Sequence, residues 1–100
     1  MNDIINLNDY ADRAVEFQIG DRLIRCPELS YKDMKKVNEY EQNKETTTDD
    51  ESKMVLFLLN RNTSGTKFTQ KDLDALPAGA VSRIYIECVT LSRKPLAEKN

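Results

Sequence analysis

Histidine is absent from this 100-residue chain, and tryptophan is absent too. Without histidine, the commonest general base, the commonest zinc ligand and every Ser/His or Cys/His dyad are missing. There are only two cysteines, Cys26 and Cys88, far apart and in no CxxC spacing. They read as buried or half-buried free thiols in a reducing compartment. Glycine and proline number three each, so no low-complexity linker divides the chain. No basic excess exists either: fifteen Lys and Arg against seventeen Asp and Glu give a net charge of −2. That balance supplies no field to attract nucleic acid or anionic lipid. The longest apolar run is Met54–Leu59, far short of the roughly 20 residues a membrane span needs. Met1-Asn2-Asp3-Ile4 lacks a basic region followed by a long apolar stretch, so a secretory signal is not expected. These absences point to a cytoplasmic protein that lacks an enzyme's usual parts, and no cofactor, metal or catalytic residue is expected, so an enzyme is not the expected class.

What remains is one domain's worth of patterned sequence. Residues 1–13 mix scattered aliphatics with Asn and Asp and read as a flexible N-terminal arm, with a short helical turn near Asn8 to Arg13. Val15, Phe17 and Ile19 then alternate with Glu16 and Gln18, the period of a strand. Gly20-Asp21 supplies a two-residue turn in which glycine takes positive φ. That turn sets Ile19 against Arg22, Phe17 against Ile24 and Val15 against Cys26, with Glu16 and Arg25 as an ion pair on the other side. Pro27 ends the ladder.

Three helix starts follow the same grammar. Ser30 is an N-cap with Asp33 at the capping-box position and Leu29 with Met34 as a hydrophobic staple. Met34, Val37 and Tyr40 continue the stripe, while Lys32, Lys35 and Lys36 fill a solvated face. Thr48 with Glu51 opens the second helix, and its Met54–Leu59 run is apolar on every face and must be enclosed. Asn60 to Gly65 reads as its stop and a loop. Thr69 with Asp72 opens the third, stapled by Phe68 and Leu73 and broken at Pro77. Gly79 to Ser92 places Val81, Ile84, Tyr85, Cys88 and Leu91 on one helical face, leaving Ile86 and Val89 off it. Its β-branched content over Arg83–Leu91 leaves a strand open as an alternative. Residues 93–100 are polar and read as a disordered tail.

The expected fold is therefore α+β: an N-terminal β-hairpin packed on three or four helices, mostly helical, in a single domain over 14–92. Asp72, Asp74 and Glu51 sit at helix starts, where capping accounts for them without acid–base or metal chemistry. Asp49-Asp50-Glu51 makes a poor metal cluster because adjacent helical positions diverge. Ser64-Gly65-Thr66-Lys67 lacks the spacing of a phosphate loop. The Met54–Leu59 run has two compatible readings, a plain buried core helix and a contact for a partner's apolar helix, and the candidate partner-contact residues are Met54, Phe57, Leu58, Tyr85 and Val89.

Two segments carry a family resemblance. The run Glu16–Arg22 followed by Leu29-Ser30-Tyr31-Lys32-Asp33-Met34, and Phe68-Thr69-x-x-Asp72-Leu73-Asp74-x-Leu76-Pro77-Ala78 followed by Val81, resemble the tail assembly chaperones of long-tailed bacteriophages and prophages. The resemblance implies a non-enzymatic protein of the bacterial cytoplasm that binds and solubilises the helical tape measure protein during tail morphogenesis. The tail tube protein is a second implied partner, and self-association through the hairpin's outer strands is left open. No nucleic acid, membrane or small-molecule substrate is implied. The alternative from another class is a small phage or prophage regulator that binds a host protein.

Overall fold

Alternating side chains and one permissive glycine build the hairpin. The computed structural model of the chain describes residues 4–96, in which β1 (Ala14–Ile19) and β2 (Arg22–Pro27) pair antiparallel. The register is the expected one, with Ile19 opposite Arg22, Phe17 opposite Ile24 and Val15 opposite Cys26. Gly20 takes φ +62°, which a side chain would resist, and Asp21 stays at ordinary φ. Glu16 lies opposite Arg25, yet they form no ion pair: the Arg25 guanidinium instead donates to the Asp12 carbonyl (2.8 Å). A two-stranded ribbon is marginal alone. Here its inner face, Ile24 and Cys26 above all, is sealed by helices.

Four α-helices follow: α1 (Tyr31–Gln42), α2 (Thr48–Leu59), α3 (Gln70–Asp74) and α4 (Ala78–Arg93). Each of the first three begins at a hydroxyl cap, but only one cap is as expected in full. At α3, Thr69 and Asp72 bond reciprocally, and Phe68 and Leu73 are buried beside them. At α1, the Ser30 hydroxyl accepts from the Asp33 N–H (3.1 Å), but the Asp33 carboxylate turns away to Arg61 (2.9 Å). At α2, the box is Thr47 with Asp50, one residue earlier than the expected Thr48 with Glu51. The run Thr46–Thr48 followed by Asp49–Glu51 offers adjacent registers of one motif, and the chain takes the earlier. Glu51 is thereby released from capping.

Pro77 caps α4, its carbonyl accepting from Ala80 and Val81. Residues 83–91 are helical, so the strand alternative is excluded: Ile84 and Cys88 at i,i+4 spacing both reach the core, and tertiary burial overrides β-branched composition. Of the two residues expected off that face, Val89 is covered and Ile86 is not.

One core joins every layer: Ile24 and Cys26 from β2, Val37 from α1, Val55, Leu58 and Leu59 from α2, Leu73 from α3, and Ile84, Cys88 and Val89 from α4. α4 is the central element, packing against α2, β1 and α1.

Loops are held by side chains acting on backbone. Asn60 bonds both the N–H (2.7 Å) and the carbonyl (3.0 Å) of Phe68. Asn62 donates to the carbonyls of Leu59 and Thr66 and accepts from the Ser64 N–H. That loop closes on the outer edge of β2, where the Arg25 N–H meets the Ser64 hydroxyl and the Arg25 carbonyl meets the Thr63 N–H. Arg61 donates to the carbonyls of Pro27 and Glu28 while pairing with Asp33.

Within the expected arm, a 3-10 turn spans Leu7–Tyr10, capped by Asn6. Arg13 forks onto Glu28 (both contacts 2.9 Å) and donates to the Leu91 carbonyl (2.6 Å). The tail was expected from residue 93, but Arg93 is the last residue of α4 and the Leu96 N–H bonds the Tyr10 hydroxyl (2.8 Å). The expectations for residues 1–3 and 97–100 lie outside the described residues.

Candidate functional site

Burial separates the five candidate contact residues. Leu58 is 1% exposed and Val89 3% exposed, so both are core residues and neither presents a surface. This corrects their assignment: the faces of α2 and α4 that carry them are turned onto each other and the hairpin. Met54, Phe57 and Tyr85 are half-buried, packed against the core with part of each side chain accessible. The Lys36 ammonium lies 4.7 Å from the Phe57 ring centroid, so one lysine of the α1 face covers an aromatic rather than standing free in water.

Tyr85 belongs to a polar cluster that connects α1 to α4. Its hydroxyl donates to the Glu41 carboxylate, which also accepts from Arg93 (2.6 Å), and Arg93 reaches Asn38 (3.0 Å). The Tyr40 ring lies against Tyr85 with centroids 5.9 Å apart and planes tilted by 57°. Arg93 above all, then the Tyr85 hydroxyl, holds the Glu41 carboxyl below the usual carboxylate range against the opposing effect of burial. Burial, reinforced by Glu41, pushes the Tyr85 phenol above its ordinary value.

These two shifts act at opposite ends of the pH scale. A carboxyl depressed in the folded state binds fewer protons there than in the unfolded chain, so its stabilisation is present above the ordinary value of 4.5 and lost as pH falls through the depressed value. A phenol raised in the folded state stabilises below the ordinary value of 10.0 and loses that contribution as pH climbs. We expect chemical denaturation to show stability falling below about pH 4.5 in the native chain. The fall should be shallower in Arg93→Gln. An unchanged acid limb in that variant would remove Glu41 from the account.

Between α1, α2 and α4 these rings wall an open groove of about 250 Å³, lined by Tyr40, Glu51, Val55, Val81, Ser82, Tyr85 and Ile86. Ile86, 52% exposed, stands at its edge. A second groove of about 310 Å³, bounded by Phe17, Ile19, Leu76, Pro77, Ala80 and Ile84 among others, lies where the hairpin meets the Pro77 corner. Of the first groove's lining, only Tyr85 was among the candidates. Ile86 left a signal as the apolar residue off the α4 face. Glu51 left none, because its carboxylate looked committed to a cap.

Asp72, Asp50, Asp74 and the two cysteines have structural settings. The Asp72 carboxyl is pulled down by the Thr69 N–H and hydroxyl, and Asp50 likewise by Thr47. Asp74 accepts from Gln70 (2.8 Å). Cys26 and Cys88 are both free and buried, and the neighbouring Cys26 thiol together with burial pushes Cys88 above its ordinary range. Among the described residues, no group of three or more His, Cys, Asp or Glu is placed to hold a metal ion. Nor is any helix among them long and apolar enough to cross a membrane. Comparison with protein-family models, with curated proteins and with solved structures gives no match to this chain.

Proposed function

We propose that this protein is a tail assembly chaperone of a long-tailed phage or prophage, working in the bacterial cytoplasm on the helical tape measure protein. The sequence resemblance at the hairpin and at the Thr69–Pro77 corner supports this reading. So does one feature of the surface: a groove among three helices, with apolar side chains at its walls and edge, of a size to accept side chains from another helix. Met54, Phe57 and Tyr85 are the original contact candidates that keep accessible surface. A long helical partner would otherwise self-associate through its apolar stripe, and covering that stripe keeps it in solution. The tail tube protein, which displaces the chaperone as it polymerises, is the second partner.

Co-expression tests the proposal. We expect the tape measure protein to be recovered soluble, and in complex, only when this chain is present. Unchanged solubility together with failure to co-purify would reject the reading.

A further inference from the structure

The earlier cap register at α2 leaves Glu51 without a structural task. Asp50 serves the Thr47 cap, with Lys53 nearby, and Glu41 is engaged by Arg93 and Tyr85. Arg83, the cation next to Ser82 on α4, is held by Glu87 (2.8 Å). Among the described residues Glu51 has neither an ion-pair partner nor a side-chain hydrogen bond. Yet it lines the groove walled by Tyr40 and Tyr85. We propose that this groove receives the butylammonium end of a lysine side chain carried on an apolar helical face of the protein's partner.

Each part of the lining suits one part of that group. Val55 and Val81 offer apolar surface to the four-carbon stem. Tyr40 and Tyr85, tilted against each other, place two aromatic rings in the lining, and an aromatic ring attracts an ammonium within roughly 6 Å of its face. Glu51 supplies the opposite charge at the groove's margin. At about 30 Å³ per water-sized group, five heavy atoms need about 150 Å³, which the groove of about 250 Å³ accommodates. Ile86 at the edge then meets an apolar neighbour of the lysine on the partner helix. Burial first, then the carboxylates of Glu51, Asp50 and Glu41, makes the Tyr40 hydroxyl harder to ionise than usual. A neutral or acidic side chain would leave Glu51 uncompensated or repelled.

The inference rests on the reading of this face as a partner surface, and its test is separate. Titration of the labelled protein with n-butylammonium chloride, at ionic strength held constant with sodium chloride, reads the groove directly by amide NMR shifts. We expect saturable shifts confined to the neighbourhood of Tyr40, Glu51, Val55, Ser82, Tyr85 and Ile86. 1-Butanol, of the same shape without charge, should bind about threefold or more weakly, as expected for loss of a cation–aromatic contact at an exposed site. Butyrate should give no saturable shift. Glu51 is exposed and has no side-chain hydrogen bond or ion pair among the described residues, so Glu51→Gln keeps the fold and should weaken butylammonium binding while leaving that of butanol unchanged. Equal binding of butanol and butylammonium would mean an apolar groove only and overturn the proposal. Scattered or unsaturable shifts, or full binding by Glu51→Gln, would also overturn it. If butylammonium binds and the tape measure protein does not co-purify, the groove chemistry stands and the chaperone reading falls. Co-purification without a butylammonium response sinks the groove alone.

Discussion

Replacing Leu58 with alanine is expected to lower the unfolding free energy by about 3–5 kcal/mol, whereas the same truncation at the adjacent Phe57 should cost about 1–2 kcal/mol. The two positions differ in surroundings rather than in hydrophobicity. Leu58 is 1% exposed within the cluster that includes Val55, Leu59, Ile24 and Cys88, so its removal leaves a void the core cannot easily fill. Phe57 is half-buried and partly covered by Lys36, which can settle onto the vacated surface. For a domain whose total stability is of order 5–15 kcal/mol, the Leu58 change approaches the whole margin. Its thermal midpoint should drop by about 15 °C or more, since 1 kcal/mol shifts a domain of this size by about 4–8 °C. Urea titration at constant slope measures both variants. A loss below about 1 kcal/mol at Leu58 would contradict its place in the core. If the proposed chaperone role holds, Phe57→Ala should instead show its main effect as reduced recovery of the tape measure protein in complex.

Removal of the Arg61 side chain should be a large polar loss, about 2–4 kcal/mol for Arg61→Ala. One guanidinium spans three partners: the carbonyls of Pro27 (3.0 Å) and Glu28 (3.2 Å) and the carboxylate of Asp33 (2.9 Å). Through them the end of α2 holds the exit of β2 and the first turn of α1. The pair is mostly shielded, with Arg61 and Asp33 side chains 21% and 19% exposed, so solvent replaces the lost contacts poorly. Arg61→Lys should recover less than half of the loss, because a single ammonium cannot match a planar fork aimed at three acceptors. A double-mutant cycle with Asp33→Asn isolates the charge pair from the carbonyl contacts. Full rescue by lysine would show that charge alone matters and that the fork geometry does not.

Arg61 also marks the limit of what the linear sequence displays. Local grammar was readable: alternation and Gly20 set the hairpin register, Ser30 and Thr69 started helices, and Pro77 made a corner. Each of those features is decided within a few residues. Where neighbouring positions offered the same motif, as at Thr47 and Thr48, the local signal did not choose between them. Contacts from one end of a helix to a distant carbonyl have no periodic signature, so Arg61, Asn60 and Arg13 gave no warning of their roles. The candidate surface suffered from the same gap. An all-apolar run cannot reveal which of its members faces inward, so Leu58 and Phe57 looked alike. The groove combines three helices, and Glu51 became visible as part of it only after the cap register had released it.

The contact between Tyr10 and Leu96, reinforced by Arg13 on Leu91, makes the path of the chain nearly a closed ring. Polypeptide attached ahead of the domain and polypeptide attached behind it therefore depart from neighbouring points. Two modules fused at opposite ends of the domain would emerge side by side. The same adjacency makes the fold a candidate for circular permutation, with a short linker joining the chain at Leu96 to the chain near Tyr10 and new ends opened in the exposed polar loop at 43–47. Order of synthesis could then be changed while the hairpin, the caps and the core keep their places.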